Sequence, residues 1–249
     1  MRHAVYCGTR NLYEGMVWSA KSLVANSSVD RIHFLIEDDE FPYEMPGFCD
    51  FMNVREYAEA VFPDGGPNAG THFTKMAMVR ICYPNLLPDV DMVLQLDIDT
   101  VVLDDVDGLW DLPMEGKWFA ATPEYISGYD PYGSGNYHNV GVCLFNLAQM
   151  RADRAQAQLV ELMNTRKLWC VEQDALNIAG AMRDKAVDMP VRFNENRATG
   201  YTDDPAIQHY VGWMDWTTNP HLPRREYLKL YRGRPWDEIL DMRKNRAKK

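Results

Sequence analysis

The sequence predicts one α/β domain with a mixed central sheet flanked by helices. Apolar runs of strand length alternate with stretches whose apolar residues recur at helical spacing. The first elements read strand, helix, strand, for which a parallel, right-handed crossover is the default. No internal repeat and no linker divides the chain, and 249 residues are enough to bury one large core.

Residues 3–8 form the first strand, closed by Gly8-Thr9. Tyr13, Met16, Val17, Ala20, Leu23 and Val24 then mark one face of a helix that Asn26-Ser27-Ser28 ends. Residues 31–36 are a second strand, followed by the acidic exit Glu37 to Glu40, and 51–57 read as a third. The Pro- and Gly-dense stretch 62–70 is a loop, and 74–83 is a helix that stops at Pro84. A strand over 90–99 follows, then a short turn or helix at Leu109-Trp110 and a strand over 118–121. Residues 126–136 are a polar, glycine-rich loop, 137–147 a strand, 148–164 one amphipathic helix and 171–182 another. Short strands are expected at 187–193 and 208–211. The domain is taken as residues 1–236, with 237–249 as a helix end and basic tail.

A formal charge of −10 argues against nucleic acid, whose phosphates reward a basic face. The five cysteines are scattered without a CxxC pair or zinc spacing, which suits reduced thiols and a cytoplasmic setting. No signal peptide is evident and no apolar run is long enough to span a bilayer. The tail from Arg243 to Lys249 is basic, and a weak peripheral contact with anionic lipid at the inner face of the membrane is one use for it.

The chain carries three aspartate pairs of D-x-D spacing: Asp89/Asp91, Asp97/Asp99 and Asp105/Asp107. Ligands of open α/β sheets gather outside the carboxyl ends of strands. Asp89 and Asp91 lie at the wrong end of the 90–99 strand, and Asp105 and Asp107 need only ordinary turn chemistry. Asp97 and Asp99 lie where a strand hands its residues to a cleft. In extended chain they would face one side while Ile98 points back into the fold. Two converging carboxylates there would hold a divalent cation.

With its surroundings, the run from Val93 through Asp97-Ile98-Asp99 to Asp107-Gly108-Leu109-Trp110 resembles glycosyltransferase family 8, which includes glycogenin and bacterial lipopolysaccharide galactosyl- and glucosyltransferases. The similarity extends from near the N-terminus to about Trp236. It implies a GT-A fold, a UDP-sugar donor, a glycan or other hydroxyl acceptor, manganese (magnesium as alternative) and retention of anomeric configuration. Thr9, Asn11 and Tyr13 resemble the family's uracil site, with Tyr13 as the stacking ring. Arg80 is similar in spacing to the basic residue that reaches the donor sugar and diphosphate, and Lys75 is its rival. Ile98 falls among the donor contacts, and Asn139, in a segment like the family's Phe-Asn-x-Gly-Val, would meet sugar hydroxyls. Glu172-Gln173-Asp174 resembles Asp-Gln-Asp, which puts Gln173 beneath the anomeric carbon and Glu172 and Asp174 on the sugar. Gln208-His209-Tyr210-Val211-Gly212 resembles the segment that supplies the third metal ligand, His209, and a donor-binding glycine, Gly212. The histidines at 3, 33, 72, 138 and 221 lack such a context. The family's diphosphate-binding lysine is replaced here by Asp215, with Arg224, Arg225 or Lys229 as substitutes.

Two rival readings follow from the same residues. A haloacid-dehalogenase-type phosphatase also owns an apolar strand ending in D-x-D, but that strand should open its domain, and here a β-α-β unit precedes it. A non-catalytic domain of the same fold that binds sugar nucleotide or glycan is the other, and Asp215 speaks for it.

Overall fold

The computed structural model describes residues 1–71, 73–133, 135–211 and 229–246. Strand β1 (His3–Cys7) shows how the sheet is built: Ala4 and Tyr6 enter one apolar cluster, Val5 and Cys7 the other. Successive side chains of a strand point to opposite faces, so a strand apolar throughout needs cover on both sides. Strand β4 (Met92–Leu96) repeats the division, with Leu94 and Leu96 on one face and Val93 on the other.

The main sheet has seven strands in the order β3-β2-β1-β4-β7-β6-β8. β1 pairs in parallel with β2 (Arg31–Ile36) and β4, and β2 with β3 (Cys49–Asn53). β7 (His138–Asn146) runs antiparallel to β4 and to β6 (Phe119–Pro123), and β8 (Ala186–Asp188) closes the edge in parallel with β6. The sheet is therefore mixed, as expected. A separate ribbon joins β5 (Thr100–Val102) to β9 (Ile207–His209).

Helix α1 (Tyr13–Asn26) covers one face. Its small residues Gly15, Ser19, Ala20 and Ser22 are buried, and Ser19 meets both the Tyr6 and Thr100 hydroxyls. The other face carries α2 (Arg55–Val61), α3 (Lys75–Met78), α4 (Tyr83–Leu86), α5 (Leu147–Ala152), α6 (Ala155–Thr165) and α7 (Val171–Ala179).

Several elements differ from expectation. The 51–57 strand ends at Asn53, whose side-chain oxygen accepts from the Arg55 amide, and α2 starts there. The 74–83 helix is two short helices joined by a 3-10 turn at Val79–Cys82, and Pro84 sits in the first turn of α4, where its missing N–H costs nothing. The 148–164 helix is broken at Arg154, which takes a left-handed φ of 52°; Asp153 beside it is held by Trp118 Nε1 (2.7 Å) and Lys185 Nζ (2.8 Å). Residues 187–193 give a three-residue strand and a 3-10 turn.

Residues 236–246 form helix α8 (Trp236–Arg246), packed on the α1 face through buried Ile239. Its cations are occupied: Arg243 donates to the Val29 carbonyl, Lys244 pairs with Asp241, and Arg246 pairs with Asp104. The described part of the expected basic tail is thus folded against its own chain, and residues 247–249 lie outside the described residues. No helix among the described residues is long and apolar enough to cross a membrane. All five cysteines are unpaired.

Candidate active site

β1 has β2 on one side and β4 on the other, so the order of strands reverses there and a crevice opens outside their carboxyl ends. A cleft of about 540 Å³ occupies that place. Leu12, just beyond β1, and Asp97 and Asp99, just beyond β4, line it.

The two aspartates do not converge as same-side residues of a strand. β4 ends at Leu96 and residues 97–99 form a turn, in which Thr100 Oγ1 donates to the Asp97 carbonyl (2.8 Å). The β5–β9 ribbon sets His209 opposite Thr100, and the Tyr210 amide donates to the Asp99 carbonyl (2.9 Å). His209 Nε2 then stands 3.2 Å from Asp99 Oδ1 and 3.6 Å from Asp97 Oδ2. The three ligand atoms lie within 4.8 Å of one another. Adjacent ligands on an ion with bonds of ~2.1 Å stand roughly 3 Å apart, so the set is sized for one divalent cation.

Asn194 fixes which nitrogen of His209 faces the carboxylates. Its amide nitrogen donates to the Asn139 side-chain and backbone oxygens (2.9 and 3.3 Å), which leaves its oxygen to accept from His209 Nδ1 at 2.9 Å. With the proton on Nδ1, a neutral ring presents the Nε2 lone pair to two carboxylates, an arrangement that a cation relieves. Protonation is the other relief: burial lowers the His209 pKa, but Asp99 and Asp97 outweigh it and the net shift is upward. Burial raises Asp97, and His209 overcomes the same burial to hold Asp99 below the usual carboxylate range.

Space in front of the cluster is kept by Gly141. A Cβ there would lie 2.1 Å from His209 Cε1 and 2.9 Å from Asp97 Oδ2. The β4–β7 pairing, with Leu96 opposite Val142, runs one step further, and the Gly141 carbonyl accepts from the Asp97 amide at 2.6 Å; on the other side of β7 the register of β6 shifts between Ala121 and Thr122. Oxygen and imidazole donors together suit a transition ion.

Arg80, and not its rival Lys75, faces the cleft. Arg80 Nη1 lies 2.6 Å from Asp97 Oδ1 and 3.3 Å from Glu172 Oε1, whereas Lys75 pairs with exposed Asp64 at 2.5 Å. Glu172, Gln173 and Asn139 also line the cleft. Burial lifts the Glu172 carboxyl to about 7, against the pull of Arg80. Gln173 Oε1 accepts from the Val140 amide (3.1 Å), and its Nε2 donates to the Tyr137 hydroxyl (3.2 Å) and Glu124 (3.3 Å).

Three expected contacts are corrected. Asp174 is fully buried and does not line the cleft: it accepts from the Tyr132 and Tyr137 hydroxyls and from the Trp169 and Cys170 amides, so it builds the start of α7 instead of binding sugar. Tyr13 is 1% exposed, with its hydroxyl donating to Asp38 (2.8 Å) and accepting from the Glu37 amide (3.0 Å), so its ring offers no free face. Ile98 packs its partly buried side chain against the core and does not line the cleft. Thr9 lines a smaller neighbouring pocket with Lys75 and bonds Asn11, which is exposed. Gly212, Asp215, Arg224 and Arg225 lie outside the described residues, and Lys229 is exposed and helical.

Sequence reasoning missed Leu12, Glu124, Asn194 and Arg197. Leu12, Glu124 and Arg197 line the cleft, with Arg80 and Arg197 its cations among the described residues. Glu124 follows β6 directly, so the rule that ligands gather at carboxyl ends of strands would have found it. Leu12, Asn194 and Arg197 carry no local signal.

The described chain matches solved glycosyltransferases in fold. It superposes on galactosyltransferase LgtC, solved in complex with donor and acceptor sugar analogs, with a TM-score of 0.65 at 19% identity, covering 98% of this chain and 96% of that one. On the WbbM bifunctional glycosyltransferase the TM-score is 0.71 at 16% identity, and this chain spans about half (51%) of that protein. These likenesses give the GT-A fold. In sequence it is 25% identical over 199 residues to General stress protein A of Bacillus subtilis, covering 68% of this chain and 69% of that one. The model of Glycosyl transferase family 8 matches residues 3–217, nearly the whole length, and the chain belongs to that family.

Proposed function

We propose that the protein transfers a hexose from UDP-glucose or UDP-galactose to a hydroxyl of a glycan acceptor, with retention of configuration and with a divalent cation, manganese before magnesium, at Asp97, Asp99 and His209. The observation that carries the proposal is that this cluster and Gln173 line one cleft. The unpaired cysteines agree with a cytoplasmic setting.

A cation bound there supplies positive charge to the departing diphosphate. Arg80, held between Asp97 and Glu172, and Arg197 add fixed charge along the same wall. The Gln173 amide is held by Val140, Tyr137 and Glu124, so it needs no reorganisation to turn a remaining lone pair of Oε1 toward an electron-poor anomeric carbon. Glu172 Oε2 is buried without a partner, an acceptor ready for a sugar hydroxyl. Asn139 offers amide atoms beside it. Leu12 lines the cleft at the nucleoside end, with Thr9 and Asn11 preceding it in the same turn.

Calorimetry of UDP with and without manganese, followed by hydrolysis assays on UDP-glucose, UDP-galactose and their N-acetyl forms, tests the proposal. Manganese-dependent UDP binding and hydrolysis of one sugar are expected. Binding without hydrolysis of any would favour the non-catalytic domain, and no UDP binding would end both.

A further inference from the structure

Strand β4 is apolar except at Gln95, and that side chain is buried, at 1% exposure. In register it lies between Val5 of β1 and Cys143 of β7, both buried, and it shares its face of the sheet with Val93. An amide in such company has to find partners for each of its polar atoms. Its Nε2 donates to Asp97 Oδ1 (3.2 Å) and, at greater length, to the Gly141 carbonyl (3.4 Å). A carboxylate and a carbonyl only accept, so the amide cannot be turned over. Its Oε1 is left buried without a partner.

An apolar side chain would serve the strand as well. Loss of the amide would orphan neither neighbour: Asp97 Oδ1 keeps Arg80 Nη1 at 2.6 Å, and the Gly141 carbonyl keeps the Asp97 amide at 2.6 Å. The sheet thus carries an unpaired oxygen for no gain in its own hydrogen bonding. What Gln95 does change is the setting of Asp97. Between Gln95 and Arg80, Oδ1 is committed to the protein, and Oδ2 is the oxygen that faces His209 Nε2 (3.6 Å). Asp97 so held offers an ion one oxygen, not two.

We infer that Gln95 is a positioning residue that keeps Asp97 a one-oxygen ligand, and that it thereby sets the choice of cation toward manganese and away from calcium. The inference rests on the metal reading of Asp97, Asp99 and His209 above. Calcium gathers roughly six to eight oxygens and readily takes both from one carboxylate, whereas a site of mixed oxygen and imidazole donors with one oxygen per carboxylate suits a smaller transition ion. With Gln95 gone, only Arg80 would hold Oδ1, and the carboxylate could turn to present both oxygens.

Electron paramagnetic resonance of free manganese, titrated with UDP present and absent and with calcium as competitor, reads the cation without turnover. Gln95→Met and Gln95→Leu should each weaken manganese binding ~10-fold while calcium binding moves less than ~2-fold. In EDTA both variants should melt no lower than the wild-type protein, because each removes a buried unpaired oxygen. Manganese held as tightly by both variants, or manganese and calcium weakened in parallel, would overturn the inference. So would a fall in the melting temperature of both variants in EDTA, which would make Gln95 a residue of the sheet alone. A wild-type protein that takes up no manganese in either condition would end the metal reading itself, and this inference with it.

Discussion

Asp97/Asp99 and Asp105/Asp107 share spacing and sequence neighbourhood, yet the fold gives them opposite surroundings. Asp105 accepts from the Asp107 amide (2.8 Å) and the Ser27 hydroxyl (3.4 Å), and Asp107 accepts from the Ser28 amide (3.0 Å) and pairs with Arg2. Burial raises the Asp107 pKa, but those donors prevail and hold it low. Asp97 and Asp99 instead face one another across His209, and Arg80, the cation paired with Asp97 among the described residues, is shared with Glu172. Carboxylates supplied with donors build a turn. Gln95 Nε2 and Arg80 serve Asp97 Oδ1 (3.2 and 2.6 Å), while the oxygens turned to His209 call for a cation.

The widest separation between the pairs should appear in turnover. Asp99→Asn is expected to lower manganese-dependent UDP-sugar hydrolysis by ~10²–10³-fold. Asp107→Asn should stay within ~2-fold in kcat/KM and lower stability by about 1 kcal/mol in urea. Equal losses in both variants, or none in either, would erase the distinction.

Glycines beside each pair sharpen it further. Gly141→Ala drives a Cβ into His209, so it should abolish the thermal stabilisation produced by manganese and cost about 1–3 kcal/mol of stability. Gly108→Ala meets nothing within 4 Å and should keep the manganese response. A full manganese shift in Gly141→Ala would mean that the cation is not held by His209.

A smaller effect concerns Glu172, which touches the cluster only through Arg80. Burial lifts its carboxyl from 4.5 to about 7, so the folded state favours the proton. The associated stability is full below about pH 4.5 and is lost as pH rises through about 7. Glu172→Gln should remove that fall, of about 3 kcal/mol, from the urea midpoints measured across this pH range. Parallel pH profiles for wild type and variant would show that Glu172 is not desolvated.

Much of the sheet was legible because β1, β2, β4 and β7 are apolar on both faces and stand out as runs. Helix α2 was not, since Phe51 to Tyr57 carries apolar residues at spacings that suit either state, and the start at Asn53 depends on a side-chain bond. In the site, Asp97, Asp99, Arg80, Asn139, Glu172, Gln173 and His209 come to one cleft from five stretches of chain. Asp174 looked the same in sequence as Glu172, and only the tyrosine hydroxyls and amides around it reveal that its oxygens are spent. Tyr13 misled for a like reason, because Asp38 claims its hydroxyl and the core its ring. Leu12, one residue earlier, takes the cleft position because the 3-10 turn at Arg10–Leu12 ends there before α1 begins.

Helix α8 bears on how the protein is made. Lys21 of α1 donates to the Arg234 carbonyl across 213 positions of sequence, and Trp236 Nε1 bonds the Glu44 carbonyl. The residues beneath this helix leave the ribosome some 213 positions before their cover. Until that cover arrives one apolar side of α1 is open to water or to a chaperone, and contacts so distant in sequence form slowly. The strands β1 to β4 can gather first, but the outer side of α1 is sealed only when residues 236–246 emerge.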